Sequence, residues 1–347
     1  MTFEVNNFIR PNILKMNSYS SARDEFKDIQ KKMVFLDANE NPFENGINRY
    51  PDPQQNELKN VISKIKSINK DKILIGNGSD EVLDLVFRVF CEPNKDNIIT
   101  LPPTYGMYGV LANLNAIENR EVPLTRNFEL DVEAIVNQID NNTKIIFICS
   151  PNNPTGNSFS DEKIITLLKQ FSGIVLIDEA YIDFSNKESW LKWLQEFPNL
   201  IITQTLSKAY GMAGLRIGLL FASKDIIAIL NKIKSPYNIN ILSQKNAIKV
   251  LEDTVYTSSQ INSIKVNRRD LIKELLQIYF IYKVYESDAN FILIKVDNAN
   301  WRYDQLLKNN IVVRNRSNEI LCDNCLRISI GTFEENEKLI SVLKTLK

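Results

Sequence analysis

The 347-residue chain contains no histidine. That absence removes Ser-His-Asp and Cys-His nucleophilic sites, His-ligated zinc and imidazole acid–base chemistry. An enzyme built from this chain must move protons with Lys, Asp, Glu, Tyr, Cys or water, and an organic cofactor is the natural source of its harder chemistry. Excess charge is missing too: 42 basic residues balance 42 acidic ones, so no bulk field points to nucleic acid or to an anionic membrane. No apolar run approaches the ~18 residues that cross a bilayer. The opening Met1-Thr-Phe-Glu-Val-Asn-Asn7 has neither a basic nor an apolar leader region, so no secretory signal is expected. Four cysteines in a chain this long do not make a disulfide scaffold, and the expected compartment is a reducing cytoplasm. Internal repeats and low-complexity tracts are absent. Glycine is scarce, at 11 residues, so each survivor is expected where backbone geometry demands it.

What is present is a 44% hydrophobic chain, long enough for one large or two ordinary domains. From residue 56 onward, helix and strand signals alternate. Helices are expected over Asn56–Asn69, Asp80–Cys91 (Val82, Leu83, Val86, Phe87 and Phe90 on one face), Tyr105–Leu114, and near 131–139, 160–171 and 189–196. Buried strands are expected at Ile73–Ile75, Ile98–Thr100, Lys144–Cys149, Ile174–Asp178, Leu200–Thr203 and Leu215–Phe221. This alternation specifies an α/β fold, a mostly parallel sheet covered by helices on both faces. After residue 223 the texture changes. Two or three helices run to about Tyr279, and strands follow at Phe291–Val296, Ile311–Arg314 and Leu326–Ile330 around a helix near 301–309. Glu334–Leu346 closes the chain as a helix, and the whole stretch reads as a smaller α+β domain. The expected division is an N-terminal arm over 1–30 joining the small domain, a large domain over 31–235 and a small domain over 236–347.

Several segments carry chemistry. Gly76-Asn-Gly-Ser-Asp80 lies between a strand and a helix, where free N–H groups and the positive end of the helix dipole can cradle a phosphate. Glu81 occupies the place of the third glycine of a dinucleotide fingerprint, and the segment alone reads more readily as an ordinary loop capped by Ser79 or Asp80. Ser150-Pro-Asn-Asn-Pro-Thr-Gly156 is a rigid turn presenting Asn153 at the C-terminal end of a strand, where open α/β sheets bind ligands. Asp178 ends the next apolar strand, as a helix cap or as an anion facing a cationic ligand atom, with Tyr181 three residues on. Lys208, in Thr205-Leu-Ser-Lys208, points to the same crevice, and an ε-amine with a lowered pKa can attack a carbonyl. Arg216 adds a forked phosphate donor. A phosphate loop, a Lys nucleophile, a strand-end Asp, and Asn and Tyr hydrogen-bonders at one sheet edge together fit pyridoxal 5′-phosphate.

The chain resembles the fold-type I pyridoxal-phosphate aminotransferases, and within them the histidinol-phosphate aminotransferase subfamily, over nearly its full length. The matching segments include Tyr19–Arg23, Leu36–Pro42, Asn48–Pro51, Pro102–Tyr108, the Asn-Asn-Pro-Thr-Gly turn, Asp178–Tyr181, Thr205–Arg216 and Leu326–Thr332. The resemblance implies a transferase fold of this type and transamination of histidinol phosphate with 2-oxoglutarate in histidine biosynthesis. It implies that Lys208 holds the cofactor by a Schiff-base linkage and shuttles the proton, and that Asp178 keeps the pyridine nitrogen protonated. Tyr181 and Asn153 would bond the ring's phenolic oxygen, and Tyr105 would stack on the ring. Ser79, Asp80, Thr205, Ser207 and Arg216 would hold the phosphate, and Tyr50 would reach the cofactor phosphate of a neighbouring subunit in a homodimer. Substrate contacts fall to Arg327, Arg314 and Tyr19. The partners implied are a small-molecule amino donor and a 2-oxo acid, with no nucleic acid and no membrane.

Arg316 is left without a role and reads as a solvated loop charge. Cys322-Asp-Asn-Cys325 has no His and no second pair nearby, so no metal site is expected. The competing readings are a related pyridoxal-phosphate enzyme, such as an aromatic aminotransferase or a phosphothreonine decarboxylase, and a non-catalytic ligand-binding domain on the same fold.

Overall fold

A computed structural model describes residues 3–18 and 34–346. Seven strands form the large sheet: β1 (Ile73–Asn77), β2 (Asn97–Thr100), β3 (Glu118–Glu121), β4 (Thr143–Cys149), β5 (Ile174–Asp178), β6 (Leu200–Thr205) and β7 (Ile217–Phe221), in the order β1-β7-β6-β5-β4-β2-β3. The run from β3 to β6 pairs in parallel, and β7 runs against both of its neighbours, β6 and β1. The central strands are continuous apolar runs because both faces are buried. Successive residues of β4 serve opposite faces: Ile146 and Ile148 join one core, Ile145 and Phe147 the other.

The helices obey that division. On one face lie α2 (Asn56–Lys66), α6 (Asp161–Gln170) and α8 (Ile241–Glu252), through Leu58, Ile62, Ile164, Leu167, Ala247 and Leu251. The other face carries α3 (Ser79–Phe90), α4 (Met107–Leu114) and α7 (Lys224–Ile233). The expected stripe of α3 is buried, and so are Leu85 and Val89, since the helix is enclosed by the sheet, α4 and α7. The short helix α5 (Val132–Asn137) is capped by the Asp131 carboxylate. The register of the parallel strands sets Cys149 beside Asp178 and Asp178 beside Thr203, so the C-terminal ends of β4, β5 and β6 open at one level.

The second sheet is smaller and antiparallel, with order β10-β11-β9-β8: β8 (Ile281–Val284), β9 (Phe291–Val296), β10 (Arg314–Asn315) and β11 (Cys325–Ser329). It packs with α9 (Thr254–Leu275), α10 (Ala299–Lys308) and α11 (Phe333–Thr345) around Leu275, Ile292, Leu306 and Leu339. The sheet is clamped to the large domain at the Asn-Pro-Thr-Gly turn. Gly156 has φ +86° and its carbonyl accepts from the Asp288 N–H at 2.7 Å; a Cβ there would sit 2.7 Å from the Ser287 hydroxyl. Both the conformation and the close approach call for glycine.

Some expectations are corrected. The arm's described part, with α1 (Pro11–Lys15), lies on the large domain and not on the small one. Ile9 and Ile13 are buried with α3 and α7, the Arg10 N–H donates to the Val89 carbonyl, and Lys232 bonds the Ile13 carbonyl. Likewise α8, expected in the small domain, fills the large-domain core with Ala247 and Leu251. The helix expected near 189–196 is only a 3₁₀ turn over Trp190–Trp193, capped by Ser189. The strand expected over Ile311–Arg314 begins only at Arg314. β3 and β8 were not expected. β3 reads Glu-Asn-Arg-Glu, a polar edge strand carried by its pairing with β2, and β8 is a half-exposed edge.

Candidate active site

The aligned strand ends, the loop after β6 and the N-terminus of α3 enclose a cavity of about 110 Å³. Ten residues singled out from the sequence line it: Ser79, Asp80, Tyr105, Asn153, Asp178, Tyr181, Thr205, Ser207, Lys208 and Arg216, joined by Cys149 and Ala180.

Asp178 sits at the floor, 2% exposed. The Tyr108 hydroxyl donates to its Oδ2 at 2.8 Å, and the Thr203 hydroxyl to its Oδ1 at 3.1 Å. Burial pushes the carboxyl above its ordinary pKa, and these two donors pull it back. Among the described residues no lysine or arginine is in ion-pair contact with it. A buried carboxylate with spare acceptor capacity toward a cavity calls for a cationic donor there. Neither hydroxyl was assigned from the sequence. Tyr108 stands in the Pro102–Tyr108 run, three residues after Tyr105, and Thr203 is the β6 residue registered against Asp178. The Tyr108 ring stacks on Phe147 at 4.8 Å and meets the Tyr105 ring edge-on at 5.5 Å, which fixes the hydroxyl on the carboxylate.

Lys208 places its ammonium nitrogen 6.0 Å from the centre of the Tyr181 ring. Burial is the main cause that lowers its pKa, and the guanidiniums of Arg327 and Arg216 add to it. A larger neutral fraction makes the amine a better nucleophile and proton acceptor. Tyr181 is itself held edge-on against Phe291 of the small domain, ring centres 5.0 Å apart.

The phosphate-type cradle is formed by backbone proximity. Gly78, at φ +81°, starts α3, and the Gly78–Ser79 peptide lies so close to β7 that a Cβ on Gly218 would stand 2.4 Å from the Ser79 nitrogen. Ser79 and Asp80 of the first turn line the cavity together with Arg216, whose Nη2 is 3.8 Å from Asp80 Oδ2, so the helix N-terminus adjoins it. The Thr205 hydroxyl accepts from the Ser207 N–H at 3.1 Å, which orients that side of the loop.

Arg327, on β11, reaches across the domains. Its Nη1 donates to Asn153 Oδ1 at 2.5 Å, its guanidinium lies 5.2 Å from the Phe291 ring, and its Nε is buried with no partner among the described residues. Arg314 is registered directly against Arg327 on β10 and is exposed. Tyr50 is not in the cavity. It is 52% exposed and stacks on Tyr237 at 4.5 Å in a separate groove with Ile47 and Leu242. Tyr19 lies outside the described residues. Cys322, in the turn before β11, and Cys325, the first residue of that strand, are buried free thiols wedged against the large-domain core.

The aminotransferase class I and II family matches residues 14–343. A histidinol-phosphate aminotransferase of Flavobacterium psychrophilum is 64% identical over 344 residues, 99% of each chain. One of Flavobacterium johnsoniae is 60% identical over 346 residues, again 99% of each chain. The crystal structure of the histidinol-phosphate aminotransferase from Clostridium acetobutylicum superposes with a TM-score of 0.79 at 31% identity, covering 86% of this chain and 90% of that one.

Proposed function

Since the chain belongs to the class I and II aminotransferases, we propose that it moves the amino group of L-histidinol phosphate to 2-oxoglutarate, giving imidazole-acetol phosphate and glutamate. The observation that carries the reading is that a lysine of lowered pKa, Lys208, and a buried carboxyl, Asp178, with no ion pair among the described residues, line one cavity with a helix N-terminus and an arginine. The names borne by relatives at 60–64% identity over whole chains favour the phosphorylated donor over an aromatic amino acid or a decarboxylation.

The donor set fits pyridoxal 5′-phosphate. Asp178 offers the buried negative charge that a protonated ring nitrogen needs, and the Gly78–Ser79 turn with Arg216 offers a place for the phosphate. When bound, the cofactor supplies the aldehyde and an electron-withdrawing ring. Everything else falls to side chains. Lys208 Nζ would provide the covalent attachment and carry the proton. Asp178, whose carboxyl accepts from the Tyr108 and Thr203 hydroxyls, would hold the proton on the ring nitrogen. Tyr105 would cover the ring, Tyr181 and Asn153 would bond its phenolic oxygen, and Thr205, Ser207, Ser79 and Asp80 would complete the phosphate shell. Arg327, Arg314 and Tyr19 take the substrate's anionic group.

Tyr50 completes the site of a second copy, so the working unit is a homodimer. Support comes from its exposure outside its own cavity and from the exposed Val34, Leu36, Phe43 and Ile47 around the same segment, which a second chain would cover. A cytoplasmic location accords with four free thiols. Addition of histidinol phosphate to the cofactor-loaded protein should convert the cofactor's visible absorbance to that of its amine form. Conversion that is far faster with phenylalanine or tyrosine would remove the substrate assignment.

A further inference from the structure

We propose that Arg316, held by Glu319, is a specificity-determining residue that matches the substrate-anion site to a doubly charged phosphate ester; the inference deepens the reaction proposed above and rests on it. Arg314 and Arg327 are registered directly opposite each other across β10 and β11, so their side chains leave the sheet on one face. Arg316 is two residues beyond Arg314, and its N–H continues the ladder to the Cys325 carbonyl at 2.9 Å, so it shares that face. Arg327 shows which face this is, since it reaches Asn153 at the cavity wall.

Three guanidiniums thus stand together, and one carboxylate is set among them. Glu319 Oε1 accepts from Arg316 Nη1 at 2.6 Å, and its charge is also felt by Arg327 and Arg314. The net charge of the group is +2. A phosphate monoester carries about −2 above pH ~6, whereas a side-chain carboxylate carries −1. Among the described residues neither Arg316 Nε nor Arg327 Nε, both buried, has a protein acceptor. Two orphaned donors beside one site are costly until a ligand with several acceptor oxygens takes them, and phosphate presents three. In the solvated-loop reading of Arg316, its guanidinium would face water; instead its side chain is 18% exposed.

The test compares cofactor-loaded wild type, Arg316→Gln, Glu319→Gln and the double variant. Dissociation constants for inorganic phosphate and for glutamate are measured by calorimetry at pH 8. Arg316→Gln should weaken phosphate about tenfold or more while changing glutamate by no more than about twofold. The double variant restores a net charge of +2 and should recover most of the lost phosphate affinity, which a purely structural role for the pair would not allow. Glu319→Gln alone should tighten phosphate. Equal losses for phosphate and glutamate, or a double variant no better than Arg316→Gln, would overturn the proposal. Failure of wild type to use histidinol phosphate would instead strike the substrate assignment, and the phosphate comparison would still report on Arg316.

Discussion

Tyr108→Phe removes one hydroxyl from the floor of the site and little else. The ring can remain stacked on Phe147 and edge-on to Tyr105, so the change isolates the 2.8 Å hydrogen bond to Asp178. A buried hydrogen bond to a charged acceptor is worth about 1.5–3 kcal/mol. The sign of its pH dependence is set by the form it stabilises. The hydroxyl favours the ionised carboxylate, so its contribution is full above the folded pKa of Asp178 and fades as pH falls through that value. Burial holds that pKa above the ordinary 3.8, so the fading begins at less acid pH than for an exposed aspartate. Asp178→Asn removes the charge while keeping the shape. Urea unfolding of the four proteins of this cycle, without cofactor, should give a Tyr108–Asp178 coupling of about 1.5–3 kcal/mol while the carboxyl is ionised and a smaller one as pH is lowered through its folded pKa. With cofactor bound, the same variant leaves Asp178 less able to keep the ring nitrogen protonated, and kcat should fall about ten- to hundredfold. If Tyr108→Phe cost the same in the Asp178→Asn background as in wild type, the hydroxyl would not be serving the carboxylate and the reasoning would fail.

The same geometry sets other outcomes. Lys208→Ala should abolish turnover and leave the far-ultraviolet circular dichroism intact; retained turnover would exclude the lysine. In wild type the acid limb of kcat/KM should rise with pH as the Lys208 amine loses its proton, below the ordinary 10.5, and neutralising Arg216 or Arg327 should move that limb to higher pH. Gly218→Ala would force a methyl group against the Gly78–Ser79 main chain, costing about 1–3 kcal/mol of stability and weakening cofactor binding, as a titration would show. Glu179 is buried beneath the site with donors from Ser189, Trp190 and Gln204, and burial pushes its pKa from 4.5 up to about 7. A raised carboxyl pKa means the folded state holds the proton longer, so this group lowers stability as pH rises between those values. Glu179→Gln should flatten that part of the urea-stability profile, and an unchanged slope would reject the assignment.

The parts of the site that were legible in the sequence are those in which one chain segment carries both the signal and the function. Asp178 closes an apolar five-residue strand, Lys208 comes after the next strand, and the Pro- and Gly-bounded turn presents Asn153; each was placed by local pattern and lies where expected. Contacts that join residues far apart along the chain were not legible. The Tyr108–Asp178 bond spans 70 positions and the Arg327–Asn153 bond 174, and no periodicity encodes either. The fold divides the same way. β3 has a strand's pairing but none of its apolar composition, because its neighbour β2 and not its own side chains carries it. The Trp190–Trp193 turn has a helix's apolar content without the length to propagate.

The most direct measurement is reductive trapping. The cofactor-loaded protein is treated with borohydride, digested, and its peptides mapped by mass spectrometry. A single pyridoxyl-phosphate adduct is expected on the peptide containing Lys208, formed in wild type and missing in Lys208→Ala. An adduct on another of the chain's lysines, or none, would contradict the assignment of Lys208.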